Sequence, residues 1–447
     1  MLLKVKEHPI KNLVNRYKTG ENVGIFSVCT SNEYVIEASM ERVIDKDLDL
    51  LIESTANQVN QDGGYTGMKP KDFVNYVYKI ADKVNFPKDR IILGGDHLGP
   101  LTWTKLTQEE AMEKAKVLIR DYVLAGFTKI HIDTSMPIYD DLEKGVFGDD
   151  LIAERAAILC NVAEMSYKEL LKINEDAIHP IYVVGSEVPV PGGVQAEEAE
   201  EEIENGIKVT RVEDFKNTVE VFKKKFKEHG IKEAFNYVVG VVVQPGVEFS
   251  SDTVWKYERE KAKDLSKALK EYDNLVFEAH STDYQSPKSL REMVVDGFNI
   301  LKVGPALTFG FREAAFSLNK IEEEMFRFRP DIEESRFIQT LDYNMVKHPE
   351  NWIKHYSGTS ENIRFSRMYS LSDRCRYYMP NEEVEYSFNK MINNLDKEEI
   401  PIALISQYMH NQYKKVRDGD LKPKALNLLK DFIGEYVDDY IFAVEDK

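Results

Sequence analysis

The feature that most constrains this chain is an alternation. Eight short, β-branched apolar runs, at 24–29, 49–54, 90–95, 129–133, 181–185, 237–244, 275–279 and 300–303, are separated by longer amphipathic stretches. Each run gives way to polar residues or glycine, which is the pattern of repeated strand–helix units. VVGVVV at 238–243 is apolar without alternation, as expected of a parallel strand covered on both faces. The helical pattern is clearest at 107–125, where Ala111, Ala115, Leu118, Tyr122 and Ala125 share one face. Thr107 and Glu110 have capping-box spacing at its start, and Gly126 can close its end. An open doubly wound sheet usually has about five to seven strands. Eight strand–helix alternations therefore predict an α/β fold closed as a (β/α)8 TIM barrel, with a C-terminal helical extension.

The strand pattern stops near residue 325. We expect residues 1–325 to form the barrel carrying the active site and 326–447 a helical extension packed on it. Within the extension, YSLSDRCRYYMP at 369–380 is rich in Tyr and Arg and could cover the barrel or make a subunit contact, so a homo-oligomer stays open. The acidic run AEEAEEEIEN at 196–205 reads as a solvated surface segment. Hydrophobic residues at 43% and charged residues at 30% suit a globular chain. A net charge of −18 argues against nucleic acid or an anionic membrane as partner. Cys29, Cys160 and Cys375 offer no disulfide framework, no leader pattern opens the chain and no stretch has the length of a membrane span, so a cytoplasmic protein is expected.

Active sites of such barrels lie at the carboxyl ends of the strands. Those ends are polar here: Asn57, Gln58 and Asn60 after the second run, Asp96 and His97 after the third, His131 and Asp133 in the fourth. Glu187 follows the fifth run, Gln244 ends the sixth, His280 and Asp283 follow the seventh, and Lys302 lies in the eighth. Imidazoles from separate strands are what a metal site in a barrel requires, which selects His97 and His280; His131, inside IHID, reads more readily as part of the barrel wall. Glu187 and Gln244 are candidates for the remaining ligands, and a mixed His, carboxylate and amide set suits Zn²⁺, Mn²⁺ or Co²⁺ better than Ca²⁺. Asp96 and Asp133 could act as base and acid, or orient a ligand imidazole through its distal N–H. The GGYTG loop at 63–67 could be a short lid or a loose phosphate cradle. Lys302 could form a Schiff base, although two histidines favour metal activation of a carbonyl.

VNQDGGYTGM (59–68), IILGGDHLGP (91–100), GFTKIHIDTSM (126–136), VVGSEVPVPGG (183–193), VVVQPGVEF (241–249), EAHSTDYQ (278–285), ILKVGPALTF (300–309) and YSLSDRCRYY (369–378), in this order, resemble the Z-type accessory subunit family of class II D-tagatose-1,6-bisphosphate aldolase. The likeness runs from about residue 10 to the carboxyl end. That family includes non-catalytic aldolase subunits and metal-dependent 4-epimerases of D-tagatose or its 6-phosphate. The resemblance thus implies a ketohexose or ketohexose phosphate substrate, a divalent ion (Zn²⁺, Mn²⁺, Ni²⁺ or Co²⁺) and, in the subunit reading, a class II aldolase catalytic chain as partner. As an epimerase, the chain would use Asp96 and Asp133 as acid and base, with Asn57, Gln58 and Asp283 gripping hydroxyls. In the catalytic class II aldolases, more distant relatives, the catalytic Asp and the first and last His ligands match Asp96, His97 and His280, while the middle His falls on Gln244. Their Asn-containing motif for dihydroxyacetone phosphate corresponds to VGPALT, which has no Asn, so stand-alone bisphosphate cleavage is not expected.

Overall fold

A computed structural model describes residues 7–145, 147–188 and 206–446. The acidic run at 196–205, and 189–193 of the VVGSEVPVPGG motif, lie outside these residues. Eight parallel strands, β1 (Ile25–Cys29), β2 (Leu50–Thr55), β3 (Ile91–Leu98), β4 (Lys129–Ile132), β5 (Ile181–Val184), β6 (Val238–Val242), β7 (Val276–Ala279) and β8 (Ile300–Val303), close into a barrel. Each is paired with its neighbours in sequence, and β1 meets β8 in the register Ile25↔Ile300 to Val28↔Val303. All eight expected strands are present, with ends shifted by three residues at most.

Helices follow the strands around the outside, and the helix expected at 107–125 is Gln108–Ala125. Its capping box joins Thr107 to Glu110, and Gly126 closes it in the left-handed region at φ 103°. Ala111, Ala115, Leu118 and Tyr122 are buried as the spacing requires, whereas Ala125 is only partly buried. Beyond the barrel, the last helix, Ala425–Val444, packs against Glu33–Val43, Pro287–Val295 and Pro305–Phe326. The approach is close: a Cβ on Gly310 would meet the Tyr436 ring, and one on Gly434 the Arg42 guanidinium. The chain's end is thereby built into the barrel's helical ring, and Gly24 N–H donates to the Val444 carbonyl. No described helix is long and apolar enough to cross a membrane.

The inside of the barrel is layered because every second residue of a strand points inward. The lowest layer is apolar: Ile25, Leu51, Ile92, Ile181, Val239, Val276 and Ile300 pack with Ile10 and Val14 of the N-terminal helix Pro9–Lys18. Two residues along the strands the layer becomes charged, with Ser27, Glu53, Lys129, Glu278 and Lys302 all buried. Lys129 Nζ lies 2.7 Å from both Glu53 and Glu278, and Lys302 pairs with Glu53. Buried ions need such partners, since an unpaired one costs several kcal/mol. Gly94 makes room for this layer, because a Cβ there would collide with the Glu53 carboxylate.

Candidate metal and sugar site

The next inward positions carry the candidate chemistry. Asp96, His97, His131 and His280, from β3, β4 and the end of β7, place one ligand atom each within 4.8 Å of one another, and all four are buried. The imidazole centroids are 5.1 Å apart for His97 and His131, 5.0 Å for His97 and His280, and 5.3 Å for His131 and His280. GGDHLGP is shaped for this. A Cβ on Gly95 would strike Leu98 and Tyr122, one on Gly99 would strike the Asp133 carbonyl, and His97 itself is left-handed at φ 49°. Backbone strain of this kind costs about 1–3 kcal/mol and persists only where surrounding structure imposes it.

Carboxylates orient two of the rings. His97 Nδ1 is 2.7 Å from Asp133 Oδ2, and His280 Nε2 is 3.0 Å from Glu278 Oε1. This leaves the other nitrogen of each ring for a ligand, the arrangement that fixes metal-binding imidazoles. His131 Nδ1 lies 2.9 Å from Asp96 Oδ1, while its buried Nε2 has no hydrogen-bond partner. An unpartnered imidazole nitrogen among two oriented rings and a carboxylate fits a divalent transition metal with nitrogen and oxygen ligands.

Charge states at Asp96 and His280 agree with that fit. At His97 burial opposes charging, but the carboxylates of Asp96 and Asp133 outweigh it and push the imidazole up, so a metal ion there would displace a proton. Burial opposes ionisation of Asp96, but the neighbouring His97 and Lys302, whose Nζ is 2.9 Å away, hold its carboxyl well below the usual range. Burial pushes His280 down to about 4, so it is neutral and ready to donate a lone pair. Burial also opposes ionisation of Asp133, yet the bond to His97 keeps its carboxyl below the ordinary value.

A cavity of about 110 Å³ opens over this cluster, lined by Asp96, His97, His280, Asn57, Gln58 and Asp283 among others. The three residues expected to grip hydroxyls are therefore gathered with the expected base and two expected ligands. Asp133 lies behind His97 rather than on the cavity wall. Two expected ligands fall elsewhere. Glu187 is exposed three residues past the end of β5, and its Oε2 accepts from the Thr210 hydroxyl at 2.5 Å. Gln244 turns its Oε1 back onto the backbone N–H groups of Gly246 and Val247, at 2.8 and 3.1 Å. His131, expected in the wall, stands in their place.

Arg376 and Tyr377 also line the cavity, and sequence reasoning did not single them out as site residues. Their segment is pinned by Asp373, which accepts from Thr308 Oγ1 at 2.6 Å and from Arg312 Nε at 3.2 Å. Tyr65 of GGYTG sets its ring 5.3 Å from that of Tyr377, at the cavity wall. A larger hollow, about 1360 Å³, lies around the opposite, amino-terminal ends of the strands and is lined by residues such as Asn12, Arg16 and Asp89. Among the described residues no cluster of metal-ligating groups lies there, so we place the chemistry at the smaller cavity.

A family model described as D-tagatose-1,6-bisphosphate aldolase subunit GatZ/KbaZ-like matches residues 10–445. The crystal structure of a probable tagatose 6 phosphate kinase from Sinorhizobium meliloti 1021 is 42% identical, with a TM-score of 0.83, covering 94% of this chain and 100% of that one. The fructuronate-tagaturonate epimerase UxaE from Cohnella laeviribosi is 11% identical with a TM-score of 0.44, covering 96% of this chain and 85% of that one. Fructose-bisphosphate aldolase from Campylobacter jejuni is 14% identical with a TM-score of 0.41, covering 86% and 92%. Only the first of the three is similar enough to bear on more than the outline of the fold.

Proposed function

The chain belongs to the GatZ/KbaZ-like family of D-tagatose-1,6-bisphosphate aldolase subunits, proteins of carbohydrate metabolism, and from that premise we propose that it is a metal-dependent ketohexose 4-epimerase interconverting D-tagatose and D-fructose or their 6-phosphates. The observation that carries this reading is the group of Asp96, His97, His131 and His280, the first, second and fourth of which line the cavity. A purely structural subunit would have little reason to bury four polar groups together and leave one nitrogen unpartnered, because such groups are costly to desolvate.

In this reading His97, His131 and His280 hold the ion, and Asp133 and Glu278 orient two of those rings. A bound divalent ion, Zn²⁺, Mn²⁺, Ni²⁺ or Co²⁺, would supply positive charge close to the ketose carbonyl. Asp96, kept ionised by Lys302, takes the proton of the C4 hydroxyl. The C3–C4 bond then opens, the electron pair passing to the C2 carbonyl, to give an aldehyde at C4 and a three-carbon enediolate. The aldehyde turns, the enediolate re-adds to its other face, and Asp96 returns the proton. Asn57, Gln58 and Asp283 hold the sugar's hydroxyls while the cavity wall, with Tyr65 and Tyr377, limits water.

The family description supports a second reading, a non-catalytic chain that stabilises a separate class II aldolase subunit. A kinase reading rests on the printed name of the Sinorhizobium protein alone. Incubating the purified chain alone with each metal and D-tagatose or its 6-phosphate separates the first two. Metal-dependent appearance of the fructose product supports the epimerase. No product under any metal, with stabilisation of a co-expressed aldolase chain, supports the subunit.

A further inference from the structure

The loops after β7 and β8 of such a barrel, with the helix N-terminus that follows, commonly bind a phosphate through free backbone N–H groups. Here that position is already taken. Asp283, 2% exposed, uses Oδ1 to accept from Gly304 N–H at 3.1 Å and from Ala306 N–H at 2.7 Å, at the start of the helix Pro305–Phe326. Pro305 has no N–H, and Leu307 and Thr308 donate to the Gly304 carbonyl at 3.1 and 3.3 Å. Every donor from Gly304 to Thr308 is thus engaged within the protein. Three of the five N–H groups of Arg376 serve its own segment: Nη1 donates to the carbonyls of Ser372 and Asp373, and Nη2 to the Tyr377 hydroxyl at 2.9 Å.

From this filled cradle we propose that Asp283 is a specificity-determining residue, which makes the β7–β8 side of the cavity accept an unphosphorylated, hydroxyl-bearing end of the sugar and reject a phosphate. Asp283, Gly304 and Pro305 all line the cavity, so whatever end of the substrate lies there meets a carboxylate. A hydroxyl can donate to it. A phosphate dianion brings only acceptor oxygens and like charge, and finds no free backbone N–H from Gly304 to Thr308. A ketohexose bisphosphate carries phosphate at both ends and cannot turn an unphosphorylated end to this side. A free sugar or a monophosphate can. The inference rests on the sugar-binding reading above and narrows its substrate class.

The test is calorimetric titration of the metal-loaded protein with inorganic phosphate, D-fructose 6-phosphate and D-fructose 1,6-bisphosphate, for wild type and Asp283→Ser. Wild type is expected to bind the bisphosphate at least about tenfold more weakly than the monophosphate, and Asp283→Ser to gain about tenfold or more for inorganic phosphate. Asp283→Asn, which keeps the acceptor and loses the charge, gives a smaller gain in the same direction and replaces Asp283→Ser if that variant does not fold. Equal wild-type affinity for the two sugar phosphates, or unchanged phosphate affinity on removing the carboxylate, overturns the proposal. The inorganic phosphate arm needs neither a sugar nor turnover, so its outcome is independent of whether the chain is an epimerase.

Discussion

Replacing Lys129 by Met tests whether the site stands on a charged layer. Lys129 is completely buried, and its ammonium lies 2.7 Å from Glu53 and 2.7 Å from Glu278. The substitution conserves volume but leaves Glu278 without that partner, and Glu53 with Lys302 as its remaining cation and the Ser27 hydroxyl as a donor. Breaking a buried ion pair costs about 3–5 kcal/mol, a large share of the roughly 5–15 kcal/mol that holds a domain together. Burial opposes ionisation of Glu278, and its carboxyl is held well below the usual value by Lys129 and Lys302. Removing Lys129 takes away the largest of the partners that oppose burial, and the carboxyl moves up. Destabilisation should therefore be full at pH 7 and shrink as pH falls toward 5. Urea unfolding followed by circular dichroism at the two pH values measures it, and adding Glu278→Gln should recover about 2 kcal/mol or more. A cost under about 1 kcal/mol with no pH dependence would refute the reasoning.

Other consequences follow from the same geometry. His131→Ala should weaken metal binding by about 100-fold or more, while Glu187→Ala and Gln244→Ala leave it within about threefold, as read by competition with a chromogenic chelator. Burial depresses His8 to about 3 and His280 to about 4. Each therefore stabilises the fold above the unfolded value of about 6.5, and that stability is lost as pH falls toward the folded values, by about 2 kcal/mol each at pH 5. Thermal melting of the metal-free protein as wild type and as His8→Gln checks the His8 contribution, the variant losing about 2 kcal/mol less than wild type between pH 7 and pH 5. Gly99→Ala should cost about 1–3 kcal/mol in urea unfolding and also weaken metal binding, because its Cβ displaces the Asp133 carbonyl and with it the carboxylate that holds His97.

The sequence shows the barrel because strand and helix periodicities are local, and Thr107, Glu110 and Gly126 mark a helix through bonds that span only a few residues. His97 and His280 are legible for a similar reason, each standing where an apolar run stops. His131 was harder because it lies inside a run, and a polar residue there reads as wall. The usable signal was alternation within the short strands: Lys129 and His131 in KIHI, Glu278 and His280 in FEAH, and Glu53 two residues before Thr55 all point inward. Glu187 and Gln244 shared the strand-end signature, but Glu187 points out to solvent and Gln244 caps its own turn. Arg376 and Tyr377 reach the cavity from the C-terminal segment. Their place depends on Asp373 docking to Thr308 and Arg312 across more than sixty residues, which no local pattern encodes.

The central claim is that imidazoles from three strands hold one divalent ion above the charged layer. Metal analysis of the purified chain after loading and exhaustive desalting tests it directly, for wild type and for His97→Ala combined with His280→Ala. The account predicts about one tightly held ion per wild-type chain and essentially none in the folded double variant. Equal metal content in the two proteins would contradict it.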